Sequence, residues 1–93
     1  MSQKSALLAE PVEICKFWKN RQRRIAIVVA LREFEGHALI DCREYFTDKA
    51  GCMRPSTKSL SMVVRRLPEL SRALRLALEK ARALNLLPDG SDE

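Results

Sequence analysis

The sequence predicts an α+β domain, a four-stranded antiparallel sheet followed by one C-terminal helix in the order β-β-β-β-α. Three observations predict it. Up to about Met62, β-branched and aromatic residues gather in short runs with a period of two. From about Val64, the apolar period changes to three and four. The links between runs are short, which favours antiparallel pairing of neighbours.

The first strand is Val12 to Trp18 (VEICKFW), dense in branched and aromatic side chains. Lys19 to Arg24 (KNRQRR) is a polar, basic connector. Ile25 to Glu35 (IAIVVALREFE) is a long second strand, and Glu35-Gly36 offers a tight turn because glycine accepts positive φ without steric penalty. His37 to Thr47 (HALIDCREYFT) is the third strand. Asp48 to Ser56 carries Gly51 and Pro55 and is expected as a loop. Lys58 to Met62 (KSLSM) is a short fourth strand. The helix is expected from about Val64 to Leu87, with Pro68 near its start, where a missing N–H does least harm. Arg75 and Glu79, four apart, fall on its polar side.

At 93 residues the chain is one small domain, too small to hold a deep catalytic cavity beside its core. Residues 1–10 are expected as a tail, 11–87 as the folded domain and 88–93 as an acidic tail. Seventeen Lys and Arg against twelve Asp and Glu give +5, which favours a polyanionic partner without naming one. No apolar run is long enough to span a bilayer, and the N-terminal stretch lacks the pattern of a secretory signal, so no membrane partner is expected. Cys15, Cys42 and Cys52 are odd in number and widely spaced, which points to a reducing, intracellular setting, cytoplasm or nucleoid in a bacterium. One His and no Cys-x-x-Cys argue against a metal site, and no cofactor is expected. No Ser-His-Asp, Cys-His or paired-carboxylate arrangement supports an enzyme.

Alternation separates two faces. Ile25, Ile27, Val29 and Leu31 share one parity and, with Ala38, Ile40 and Cys42, are expected to be buried under the helix. The opposite parity holds Ala26, Val28, Ala30, Arg32 and Phe34, and in the third strand Leu39, Asp41, Arg43 and Tyr45. Tyr45 follows Arg43 by strict alternation, whereas Phe46 reaches that face only through a bulge. A single helix covers one side of a sheet, so this second side is left open. Cations neutralise phosphates, and flat rings stack on unpaired bases. Taken singly, each residue also has an ordinary explanation: Phe34 as a surface cluster, Arg32 and Arg43 as solvated strand residues, the connector as turn charge, and Trp18 as half-buried packing. Their coincidence on one face favours single-stranded nucleic acid. Leu70, Leu74, Ala77, Leu78, Ala81 and Leu84 make a helix stripe wider than a small sheet needs, which favours pairing with a second copy.

The stretches Leu31-Arg-Glu-Phe-Glu-Gly36, Leu39-Ile-Asp-Cys-Arg-Glu-Tyr-Phe46, Met53-Arg-Pro55 and Lys58-Ser-Leu-Ser-Met62 resemble the positive cofactor four family of transcriptional coactivators, in its compact bacterial form. The resemblance implies a strongly twisted sheet, a homodimer through the helices, and binding of single-stranded DNA. It places the binding residues at Arg32, Phe34, Arg43, Phe46, Arg54 and Lys58, with Lys16 or Lys19 from the first strand, and it favours the bulged third strand. The basic connector, including Arg21, adds to them. Glu35 and His37 stand where cations are common in the family, so a less cationic groove is expected. The expected function is a non-enzymatic, sequence-tolerant single-stranded DNA-binding protein of coactivator or regulator type. RNA and melted duplex are further candidate ligands, and the transcription machinery is a candidate partner. The alternatives are an adaptor docking an acidic protein and an RNA-binding module.

Overall fold

The structure, a computed structural model, describes residues 8–87. The tails expected at 1–10 and 88–93 therefore lie mostly outside the described residues. Four strands are followed by a helix: β1 (Val12–Asn20), β2 (Ile25–Phe34), β3 (His37–Thr47), β4 (Met53–Val63), a short 3-10 turn (Val64–Arg66), and α1 (Leu67–Ala83). The strands pair antiparallel in sequence order, so β1 and β4 are the edges.

Local chemistry explains the joints. Arg21–Arg24 closes β1 to β2, with the Arg23 amide donating to Asn20 Oδ1 at 3.0 Å and the Arg24 amide to the Arg21 carbonyl at 3.1 Å. Glu35 and Gly36 both take positive φ, 52° and 83°, the geometry that matches strand twist in a two-residue hairpin. The loop between β3 and β4 is shorter than expected, because β4 begins at Met53 rather than Lys58. Asp48 closes it. Its Oδ1 accepts from the Ala50 and Cys52 amides, both at 2.9 Å. Pro55 sits inside β4, where an edge strand tolerates a missing donor.

The helix departs most from expectation. It starts later, with Pro68 in its first turn, and ends earlier. Asn85, at φ 59°, stops it: the Asn85 amide donates to the Arg82 carbonyl and the Leu86 amide to the Ala81 carbonyl. This is the left-handed cap that glycine usually supplies. The helix also fails to cover the sheet. It leans on the 3-10 turn and makes no extensive contact with any strand. The reason is geometric: β4 runs on to Val63 and only three residues separate it from α1, so the helix is carried off the edge of the sheet.

Burial is correspondingly shallow. Among the described residues, Ala26, Ala30 and Ile40 are the buried apolar ones, with Asp41 beside them, and no large side chain is fully buried. The expected core of Ile25, Ile27, Val29 and Leu31 is only half-buried, because the helix does not lie over it. Ile40 is the buried residue of that side, while small Ala26 and Ala30 are buried on the face opposite. A sheet that curls toward that face crowds its small residues and spreads the large ones behind. The radius of gyration is 16.0 Å, against about 12 Å for a compact chain of this length.

Candidate nucleic-acid interface

Register assigns the faces, since directly opposed residues share a side. Along β2, Ala26, Val28, Ala30, Arg32 and Phe34 oppose Tyr45, Arg43, Asp41, Leu39 and His37 of β3. From β1, Glu13, Lys16 and Trp18 join them opposite Ala30, Val28 and Ala26. From β4 come Pro55, Ser59, Ser61 and Val63. The floor is small and the rim carries cations and rings. Two hollows mark the concavity. One, of about 270 Å³, is lined by Lys16, Phe17, Trp18, Ala26 and Met53. The other, of about 380 Å³, is lined by Pro11, Glu13, Val28, Ala30, Arg32, Asp41 and Tyr45.

Asp41 organises the centre. Its carboxylate is almost fully buried, lies 3.6 Å from Arg32 Nη1 and 3.4 Å from Arg43 Nε, and accepts from Ser61 Oγ. Arg43 also donates from Nη1 to the Ser56 carbonyl at 2.9 Å. Two guanidinium groups thus share one carboxylate, which holds both in place and leaves a net positive charge facing outward. Among the described residues, Asp41 is the carboxylate that both arginines pair with. Next to it, burial and then the Asp41 charge push the Cys42 thiol up, which suits a packing residue rather than a nucleophile.

The structure brings together four of the residues expected from sequence: Lys16, Arg32, Phe34 and Arg43. Phe34 is 61% exposed at the hairpin end, and Lys16 makes no ion pair among the described residues. The others fall elsewhere. β3 runs against β2 without a register break, so the bulge expected in β3 is absent and Tyr45 shares the face of Arg43. The break lies instead in β4, where residues 56–58 face Glu44. Phe46, opposed to Ile25 and Arg54, is on the reverse side at the end of the sheet. Arg54 Nε contacts Asp48 Oδ2 at 2.5 Å. That hydrogen bond, and then the Cys52 amide, hold the Asp48 carboxyl below its ordinary value. Lys19, in a β1 irregularity, contacts Glu44 at 2.5 Å and draws that carboxyl down as well. Arg21 lies in the β1–β2 turn and Lys58 in the β4 bulge.

Sequence reasoning took Trp18 for half-buried packing and left Tyr45 open against Phe46. Trp18 and Tyr45 oppose Ala26 from either side and line the two hollows. Their signal was parity, Trp18 with Lys16 and Tyr45 with Arg43. Among the described residues there is no group of three or more His, Cys, Asp or Glu placed to hold a metal, and no helix is long and apolar enough to cross a membrane.

Of the helix residues expected at a dimer interface, Leu74, Leu78 and Leu84 are exposed at 61%, 41% and 56%. Ala77 is also exposed, and Leu70 and Ala81 are partly covered.

Comparison with known proteins agrees with this architecture. A structure of a PC4 homologue from Burkholderia pseudomallei superposes with a TM-score of 0.64 at 21% identity, over 75% of this chain and 92% of that one. A bacteriophage T5 homologue of the eukaryotic coactivator PC4, implicated in recombination-dependent DNA replication, superposes with a TM-score of 0.62 at 16% identity, over 83% of this chain and 86% of that one. At these identities the likeness is one of fold. The family model described as Transcriptional Coactivator p15 (PC4) matches residues 18–73, more than half of the sequence. The chain therefore belongs to the PC4 family of transcriptional coactivators.

Proposed function

We propose that this protein is a non-enzymatic, sequence-tolerant single-stranded DNA-binding protein of coactivator type, acting as a homodimer. Family membership supports a DNA-binding, coactivator-like role. The observation that carries the finer statement is the concave face, where Lys16, Arg32, Arg43 and Phe34 converge over a floor of Ala26, Val28 and Ala30. A strand of unpaired nucleotides needs this combination, cations for its phosphates and rings for its bases. A duplex would need an element that enters the major groove, and the helix of this protein carries its leucines outward instead. Phe46, Arg54 and Lys58 extend the track round the end and edge of the sheet, and Lys19 and Arg21 add positive charge at the turn.

The dimer is supported by what is left uncovered. The reverse face of the sheet presents Phe17 and Leu60, 52% and 50% exposed, and the helix presents Leu74 and Leu84. A chain with so little buried apolar area gains much of its stability from a second copy.

Competition gel shifts with single-stranded and duplex oligonucleotides of equal length, at two salt concentrations, test the proposal. Single strands should compete strongly. With about 4–6 phosphates engaged, log affinity should fall against log salt with a slope of about −3 to −4. Equal competition by duplex, or a flat salt response, would count against it. A matched RNA competitor reads the alternative, since a 2′-hydroxyl preference would show there.

A further inference from the structure

The far end of the concave face from Phe34 holds a hollow that the family motif does not account for. Trp18 forms one wall, with Lys16, Phe17, Ala26 and Met53 around it. The Ala26 methyl, 2% exposed, closes the floor. Thr47 Oγ1 lies 3.2 Å from Met53 Sδ and 2.9 Å from the Arg24 carbonyl, which anchors the thioether of a residue that lines the hollow. Among the described residues no carboxylate lines this hollow, whereas its neighbour contains Glu13 and Asp41. Trp18 is more than one-third exposed although it sits in a strand. An aromatic wall, a methyl floor, a sulfur edge and one ammonium group describe a slot for a flat, apolar-faced ring that carries an anion.

We propose that Trp18 is a second stacking platform, taking one unpaired nucleobase whose phosphate is met by Lys16. This rests on the single-strand reading above and deepens it. Ala26, opposite Trp18, lies eight residues along β2 from Phe34, a separation of about 27 Å at about 3.4 Å per residue. The two platforms therefore grip the same strand at opposite ends of the face. Base stacking tolerates any sequence because every base has a π-face, so the slot adds affinity without selecting a sequence.

Trp18 is the sole tryptophan in the chain, so its own emission reports on the slot. The experiment titrates a fluorescein-labelled oligothymidine for anisotropy and an unlabelled one for tryptophan quenching. Quenching should saturate with the same midpoint as the anisotropy. Trp18→Ala should weaken binding roughly 5- to 150-fold, while Trp18→Phe, which keeps a ring, should lose no more than about threefold. A phosphodiester backbone lacking bases should leave the emission unchanged. If the oligonucleotide binds, and Phe34→Ala weakens it, but emission and Trp18→Ala affinity do not change, the platform is wrong and the single-strand reading stands. Equal quenching by the baseless backbone would likewise overturn stacking. Failure of the wild-type protein to bind any oligonucleotide would overturn both.

Discussion

On the concave face Arg32 and Arg43 share the Asp41 carboxylate, while one residue along the same strands Leu31, Ile40 and Cys42 turn an uncharged surface the other way. The first face is polar, hollowed and floored by small residues. The second is broad and mostly apolar, with Glu33 and Glu44 set in it, and the helix that was expected to cover it stands off the sheet with its own leucines exposed. A period of two is enough to write both surfaces into one set of strands. The difference fits the proposed division of partners, an anionic strand for one face and a second copy of the chain for the other.

The largest expected effect separates the apolar side from the concave one. Leu74→Asp places a charge in the stripe that a partner copy would cover, at a cost of about 3 kcal/mol, or roughly a hundredfold in association. Sedimentation equilibrium at micromolar concentration should then show a dimer for the wild type and a monomer for the variant. An unchanged dimer would mean that the stripe is not the interface.

Asp41→Asn probes the concave centre. Losing the charge shared by Arg32, Arg43 and Ser61 removes charge-assisted hydrogen bonds and should lower stability by about 1.5–3 kcal/mol in urea unfolding. It also frees two guanidinium groups, so the salt slope of oligonucleotide binding should steepen. Unchanged stability would show that the shared carboxylate does not hold the face together.

Phe34→Ala should weaken binding to single strands by about 1–3 kcal/mol with unfolding unaltered, because an exposed ring at a hairpin end contributes little to packing. An unchanged titration would remove Phe34 from the site.

The smallest effect is a pH response at the β3–β4 loop. Asp48 is held below its ordinary value of 3.8, first by Arg54 and then by the Cys52 amide. A carboxylate with a depressed folded-state value lends its stability above the ordinary value and loses it as pH falls through the lowered one. Protection of the Ala50 and Cys52 amides, taken relative to the intrinsic exchange rate at each pH, should therefore fall only below about pH 3.8, and Asp48→Asn should remove that acid limb. A protection factor in the wild type that does not change with pH would contradict the role given to the carboxylate.

The strands and their faces were legible in particular residues. Alternation along β2 separates Arg32 and Phe34 from Leu31, Glu35-Gly36 marks the hairpin, and Pro68 opens the helix as its missing donor requires. What escaped the sequence depends on contacts between elements. The start of β4 was hidden because Pro55 resembles a loop residue unless its strand is known to be an edge. The choice between Tyr45 and Phe46 turned on which strand carried the bulge, and it was β4. Trp18 was obscured by the irregularities that interrupt β1, since each one resets the parity that ties a residue to a face. The helix stripe was readable, but not that it faces away from its own sheet.

The most direct measurement follows backbone amide shifts while oligothymidine is titrated into isotopically labelled protein. The account predicts that the shifts cluster at Lys16, Trp18, Arg32, Phe34 and Arg43, with Ile27, Leu60 and Leu74 still. Perturbations gathered on the reverse face and the helix, with the concave residues unmoved, would contradict it.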